Sequence, residues 1–270
     1  MIIAVDIGGT KTLVASFEGA RSIINEERFP TPHDEHEFLR ELIVVLERFE
    51  ARNADVICVA VPGIINTDGI VKRCGNLPWK NFSLQKLIAE KLGRPVLIQN
   101  DAKLAGLAET HSLSQIPPLS IYVTVSTGIG TGIITSGRID LALANSEGGH
   151  MQLQTPAGFI DWEDFASGKA IREEFGHMAS EIRDTAEWHK IAEKLALGFQ
   201  ALIPLLQPQV IIIGGSIGTH FEQYGALLIE ILRHRLPPFI DMPQIVRAKH
   251  PEEAVVYGCY YYATHQGFTS

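Results

Sequence analysis

Cysteine is scarce in this chain of 270 residues, and the three present, Cys58, Cys74 and Cys259, form no C-x-x-C pair. Without such a pair there is no zinc framework, and the scatter fits a reduced cytoplasmic protein. An excess of positive charge is also missing. Against 31 Asp and Glu stand 23 Lys and Arg, a formal net charge of −8. That balance argues against a nucleic-acid partner, whose phosphates it would repel, but one nucleotide held by a loop and a metal ion remains compatible. No apolar run approaches the roughly 18 residues a membrane span needs. The first residues carry no basic stretch and Asp6 breaks their apolar run, so no signal peptide is expected. Low-complexity tracts and short-period repeats are absent too. The G-x-x-x-x-G-K-S/T loop does not occur, and the triple glycine Gly128, Gly130, Gly132 has neither the spacing nor the strand-to-helix context of a dinucleotide fingerprint.

What is present is an ordinary globular composition, 46% hydrophobic and 20% charged, in a length that suits two modest domains. Two glycine-rich turns of one design lie about half a chain apart. The first joins the run Ile2 to Val5 to Leu13-Val14-Ala15 through Asp6-Ile7-Gly8-Gly9-Thr10-Lys11. The second joins Ile121 to Val125 to Ile133-Ile134 through Ser126-Thr127-Gly128-Ile129-Gly130-Thr131-Gly132. Each reads as a hairpin with a bare bend bearing hydroxyls. A single such bend is ordinarily a tight turn. Two of them suggest loops whose backbone N–H groups face an anion, as a phosphate chain would require.

Thr31-Pro32, followed by acids and by Phe38, Leu42, Val45 and Phe49 at helical spacing, predicts a helix capped at Thr31. Its acidic first turn, with His33 and His36, is assigned to solvated surface. Val56 to Val61 reads as a buried strand and Pro95 to Gln99 as another, the second closing on Asn100-Asp101 ahead of a helix, which implies parallel pairing. Gln115 to Ser120, with Pro117-Pro118, is the linker candidate. The second half repeats the plan: a hairpin, a long helix from about Thr185 to Leu206 containing Pro204, then strand Val210 to Ile213 ending at Gly214-Gly215. The halves thus read as a structural duplication with little residue identity.

Asp101 follows a strand's carboxyl end, where ligands bind in open α/β folds. It suits a base that takes the proton of an attacking hydroxyl, and equally a cap on the helix behind it. Glu147 and His150, three apart around two glycines, could both hydrogen-bond vicinal hydroxyls, or could be a solvated carboxylate and a satisfied histidine on a loop. Asn76 lies on a turn with Trp79, whose aromatic ring is assigned to packing. The tyrosines at 257, 260, 261 and 262 are assigned to packing as well.

Taken together, Asp6-Ile7-Gly8-Gly9-Thr10-Lys11, Val61-Pro62-Gly63, Asn100-Asp101-Ala102, Ser126 to Gly132, Glu147-Gly148-Gly149-His150, Ala166-Ser167-Gly168 and Ile213-Gly214-Gly215 resemble, in this order, the ROK family of bacterial repressors, open reading frames and sugar kinases. The resemblance spans nearly the entire chain. It implies an α/β fold of two ribonuclease-H-like domains of the actin and hexokinase superfamily with a cleft between them. The smaller would be residues 1–116, completed by a C-terminal helix at about 254–268, and the larger 117–253. It implies ATP-dependent phosphorylation of a glucose-like hexose, at the 6-OH, with Mg²⁺, by a homodimer. Asp101 would be the base and Asp6 would hold the Mg²⁺ hydration shell. Gly8, Gly9, Thr10, Lys11, Thr127, Gly128 and Gly130 would face phosphates, and Gly214 and Gly215 would border the adenosine. Asn76, Asn100, Asp101, Glu147, His150 and Glu163 would hold the sugar.

One departure stands out. The family usually carries a cysteine-rich zinc loop after the histidine matching His150, whereas Met151 to Trp162 is short and has no cysteine. Zinc needs about four ligands, so a zinc-free loop packed by Phe159, Ile160 and Trp162 is expected. The rivals are a kinase for N-acetylmannosamine, fructose or allose, and a catalytically silent sugar-binding regulator, against which the retention of Asp6 and Asp101 counts. A DNA-binding regulator would need a domain ahead of the strand that starts at Ile2.

Overall fold

The computed structural model describes residues 1–19, 22–156, 158–250 and 253–269, which divide into two compact units, 1–108 with 252–270 and 109–251. In the first, β1 (Ile2–Ile7) turns at Gly8-Gly9-Thr10 into antiparallel β2 (Lys11–Phe17), and β3 (Ile23–Pro30) returns beside it. Helix α1 (Glu35–Arg48) then leads to β4 (Val56–Val61), parallel to β1 with Ala60 opposite Asp6. All six β4 residues are buried, as a central strand covered on both faces requires. A small antiparallel sheet of β5 (Gly63–Ile65), β6 (Val71–Cys74) and β7 (Lys80–Phe82) precedes α2 (Leu84–Leu92). Then β8 (Val96–Asn100) pairs with β4, Asn100 opposite Val61, and α3 (Asp101–His111) starts at once. The core joins Ile3, Val5, Ile57 and Val59 to Phe38, Leu42 and Leu46 of α1. Trp79, 1% exposed, packs there against Phe38 and Phe82.

The second unit has the same sheet plan. β9 (Leu119–Val125), β10 (Ile129–Thr135) and β11 (Arg138–Ile139) form the antiparallel part. A hairpin, β12 (Gln152–Thr155) with β13 (Gly158–Asp161), comes next. After it run α4 (Trp162–Ala166), α5 (Gly168–Phe175) and α6 (Thr185–Leu206), which contains Pro204 in its last turn. β14 (Val210–Gly214) lies parallel to β9, with α7 (Gly215–Gly218) and α8 (Phe221–Arg235) following, and β15 (Gln244–Arg247) parallel to β14. Strand order is β3-β2-β1-β4-β8 in one unit and β11-β10-β9-β14-β15 in the other, the same topology twice. Trp188, Ile191, Leu195, Phe199 and Leu202, one apolar stripe of α6, are buried in the second core.

Three sequence expectations change. The first helix is capped by Asp34, whose Oδ1 accepts from the N–H groups of His36 (3.0 Å) and Glu37 (2.9 Å), because the Thr31 hydroxyl is used elsewhere. Gly130 and Gly132 are not turn residues. They lie within β10 opposite Thr124 and Tyr122, and the bend is only Ser126-Thr127-Gly128. The unit boundary falls inside α3, ahead of the segment Gln115 to Ser120 read as a linker. The reason is Glu109, a carboxylate 2% exposed, which accepts from the backbone N–H groups of Lys249 (2.7 Å) and His250 (2.6 Å) and so belongs to the second unit.

Helix α9 (Ala254–His265) closes the first unit against β1 and β4, and Gly258 lets its backbone meet α3, since a Cβ there would overlap the Leu104 carbonyl. Gly258→Ala must therefore push α9 off its seat. We expect a loss of about 1–3 kcal/mol, read as a lowered thermal midpoint. An unchanged midpoint would mean that α9 contributes little to this unit.

Candidate active site

In the first unit the carboxyl ends of β1, β4 and β8 stand side by side, so that Asp6, the Val61-Pro62-Gly63 bend and Asn100-Asp101 share one sheet edge. Asp6 and Asp101 are near enough to repel. Burial, and then the Asp101 charge, push the Asp6 carboxyl up to about 7. Burial also pushes the nearby Cys74 thiol up, with Asp101 again adding to the effect. Asn100 rather than Asp101 caps α3: its Oδ1 accepts from Lys103 N–H at 3.1 Å while its Nδ2 donates to Gly63 O at 3.2 Å. Asp101 Oδ1 accepts from the adjacent Ala102 N–H at 2.8 Å.

The Gly8-Gly9 turn abuts this edge. Gly8 N–H donates to Lys11 O at 3.0 Å, and a Cβ on Gly8 would come within 2.7 Å of that oxygen. A Cβ on Gly9 would sit 2.7 Å from Asn76 Cβ, which brings exposed Asn76 beside the turn. Thr10 and Lys11 are exposed. Sequence reasoning missed Thr31. Its buried hydroxyl donates to Gly8 O at 2.9 Å and accepts from Thr12 Oγ1 at 2.9 Å, while its N–H donates to Thr10 O at 3.0 Å, clamping the turn from behind. The only local signal, Thr before Pro, is the same one that a helix start gives.

In the second unit the bend Ser126-Thr127-Gly128 lies at the carboxyl end of β9, and Gly214-Gly215 lies at the end of neighbouring β14. A Cβ on Gly214 would overlap Tyr122 Oη, and one on Gly215, at φ +77°, would be 2.5 Å from Val125 O. Gly168 N–H at the start of α5 donates to Ser126 O at 2.6 Å, so α5 begins against the bend. Glu163 on α4 reaches the same place, its Oε2 accepting from Ile129 N–H at 3.1 Å. His150 stands on a short 3₁₀ turn (Gly148–His150) after Glu147, held because Gly148 N–H donates to Thr131 Oγ1 at 2.9 Å and because Gly149 leaves no Cβ against Ile129 O. Its Nδ1 lies 3.0 Å from Asp161 Oδ2 and 3.7 Å from Glu163 Oε1. Asp161 carried no sequence signal.

The 151–162 loop differs from expectation in one residue. Trp162 is buried against Phe199, fitting where a Cβ on Gly198 would collide with its indole, and Ile160 is half-buried. Phe159 instead points outward, 69% exposed, because strand alternation in the β12–β13 hairpin puts Ile160 and Phe159 on opposite faces. Among the described residues no group of three or more His, Cys, Asp and Glu has a metal-holding arrangement.

The model of the ROK family matches residues 2–266. N-acetyl-D-glucosamine kinase of Vibrio parahaemolyticus serotype O3:K6 (strain RIMD 2210633) is 26% identical over 300 residues, covering 96% of this chain and 98% of that protein. Among solved structures, the ROK hexokinase of Thermus thermophilus is 26% identical with a TM-score of 0.82, covering 98% of both chains. The inorganic polyphosphate/ATP-glucomannokinase of Arthrobacter sp. strain KM is 27% identical with a TM-score of 0.75, again over 98% of both. The chain belongs to the ROK family and is a sugar kinase, with the α/β fold of the actin and hexokinase type.

The Asp6 shift carries a sign. Its carboxyl titrates near pH 4 when unfolded and at about 7 when folded. Between those values the unfolded chain has released a proton that the folded chain keeps. The group's stabilising contribution is therefore full below about pH 4 and lost as pH rises towards 7. Asp6→Asn should flatten that decline and raise the midpoint of ligand-free protein at pH 8. Calorimetry from pH 4 to 8 tests it, and parallel wild-type and variant curves would contradict the burial of Asp6, the larger cause of its shift.

Proposed function

We propose that this sugar kinase transfers the γ-phosphoryl group of ATP to a hydroxyl of a glucose-like hexose, the 6-OH first among them, with Asp101 as base. The observation carrying this reading is the pair Asp6 and Asp101 at the ends of parallel strands, beside a glycine turn whose N–H groups a side chain cannot cover. Two carboxylates crowded until one is pushed near neutrality are a hard-oxygen donor set, which suits Mg²⁺. Asp6 would hold it through water, and MgATP when bound supplies the electrophilic phosphorus.

This chain's residues then have separate tasks. Asp101 accepts the proton of the attacking hydroxyl, raising its nucleophilicity as bonding to phosphorus begins. Asn100 holds the start of α3, and so the aim of Asp101, while Asn76 and Asn100 hydrogen-bond the sugar. Gly9, Thr10 and Lys11, on a bend that Gly8 holds through its N–H to Lys11 O, and Thr127, Gly128 and Gly130 offer donors to phosphate oxygens. Gly214 and Gly215 border the adenosine. Glu147, His150 and Glu163 hydrogen-bond sugar hydroxyls. The resemblance in motif order supports each assignment.

The protein is proposed to work in the cytoplasm, consistent with three buried free thiols, and as a homodimer. No described helix is long and apolar enough to cross a membrane. Other acceptors within the same class are N-acetyl-D-glucosamine, which the name of the Vibrio relative favours, N-acetylmannosamine, fructose and allose. Polyphosphate, named for the Arthrobacter kinase, is a second donor to compare with ATP.

A panel of these sugars with MgATP, read by coupled ADP release, tests the reading; no turnover with any sugar would favour a silent sugar-binding protein. Asp101→Asn should lower kcat by roughly 10²–10⁴-fold with sugar KM much less affected. Because Asn100 is the cap, this variant should fold, and normal kcat in the folded protein would remove Asp101 as base. Elemental analysis should find no stoichiometric zinc, and one zinc per chain would reverse the zinc-free reading of residues 151–162.

A further inference from the structure

We infer that Asp161 is a positioning residue: its carboxylate fixes the tautomer and aim of His150, making Nε2 of the neutral ring a hydrogen-bond acceptor towards the sugar. The inference rests on the reading of His150 as a sugar contact. A carboxylate only accepts hydrogen bonds, so the 3.0 Å contact between Nδ1 and Asp161 Oδ2 requires the hydrogen on Nδ1. In the neutral imidazole Nε2 then keeps a lone pair and meets a ligand hydroxyl as acceptor. Without a partner the ring would exchange between tautomers and rotamers, and part of the population would present Nε2–H instead.

The backbone that carries the carboxylate is itself fixed. Asp161 ends β13 opposite Gln152 of β12, and the next residue's N–H, Trp162, donates to Met151 O at 2.9 Å. Trp162 is locked in the core. Both ends of the pair thus hang on one hairpin: His150 just before β12, Asp161 at the close of β13. The other nearby carboxylate is a weaker candidate for this task. Glu163 Oε1 is 3.7 Å from Nδ1, too far for a hydrogen bond, and its Oε2 is engaged by Ile129 N–H. Buffering of the ring by a second, more distant carboxylate leaves the short contact as the one that sets the tautomer.

The test uses the full chain with ¹⁵N-labelled histidine, the His150 signals assigned through His150→Gln. Two-bond ¹⁵N–¹H spectra should give wild-type His150 a protonated Nδ1 and an unprotonated Nε2. Asp161→Ala should move it towards the mixture of a free imidazole, and Asp161→Glu, which restores a carboxylate, should move it part of the way back. On the sugar that the panel identifies, Asp161→Ala should raise sugar KM by roughly 5- to 50-fold, with kcat and nucleotide KM within about twofold. A His150 tautomer identical in wild type and Asp161→Ala overturns the inference. So does a variant in which sugar KM, nucleotide KM and thermal midpoint all deteriorate together, since that marks a hairpin strut. Failure of the underlying reading looks different: His150→Ala would leave sugar KM unchanged, whatever the tautomer spectra report.

Discussion

Three parallel strands that end in step force two carboxylates together, and most of the first unit answers that constraint. β1 delivers Asp6, β8 delivers Asp101, and the register through β4 leaves neither free to drift along the sheet. Burying like charges opposes folding, and the chain meets the cost partly by keeping Asp6 protonated to about pH 7. Two thiols stand beside the pair, Cys74 next to Asp101 and Cys259 next to Asp6, and are pushed up rather than ionised. A cation brought to this crowded pair would relieve the repulsion, so ligand-free stability and affinity for a cation-bearing ligand would draw on it in opposite directions.

The second unit has the same sheet order but places different chemistry on it. No acid replaces Asp6 at the end of β9; the bend there is Ser126-Thr127-Gly128, and the acids and the histidine come instead from the inserted turn, hairpin and α4. Glu163 ties that insertion to the bend through Ile129 N–H, and Gly168 ties α5 to it through Ser126 O. One duplicated scaffold thereby carries a carboxylate edge once and a cluster of His150, Asp161 and Glu163 once.

How much of this was legible in the sequence follows the range of the interactions. Asp6, Asn100 and Asp101 could be located because each closes a buried, β-branched run, and a strand end is a local signal. The 22-residue α6 was legible for the same reason, its stripe of Trp188, Ile191, Leu195 and Phe199 repeating at helical spacing. Thr31 and Asp161 could not be found. Thr31 acts on a turn more than 20 residues earlier in the chain, a pairing that no local pattern encodes. The cap at Asp34 was displaced to Thr31 because both satisfy the same local rule, and only the tertiary use of the Thr31 hydroxyl separates them. Phe159 was read inward although hairpin alternation, known only once β12 and β13 are paired, sends it outward.

The glycines show why a motif can be right in order and mixed in cause. Gly8 and Gly9 sit in a true bend beside the carboxylates, yet a Cβ would meet Lys11 O on the first and Asn76 Cβ on the second, and the Gly8 N–H is already engaged by Lys11 O. Gly149, Gly198, Gly214 and Gly258 lie outside that bend and are bare for the same reason: protein atoms already fill the space a Cβ would take, from Ile129 O, Trp162, Tyr122 and Leu104 O respectively. Gly214 is instructive, because its nearest neighbour is the Tyr122 phenol that packs on it rather than open space. A substitution there would first displace Tyr122 from the β9 face and only then reach any nucleotide. Glycine in this fold therefore marks close approach of other protein atoms, backbone at Gly8, Gly149 and Gly258 and side chain at Gly9, Gly198 and Gly214, and the two uses separate only when the atom facing each absent Cβ is known.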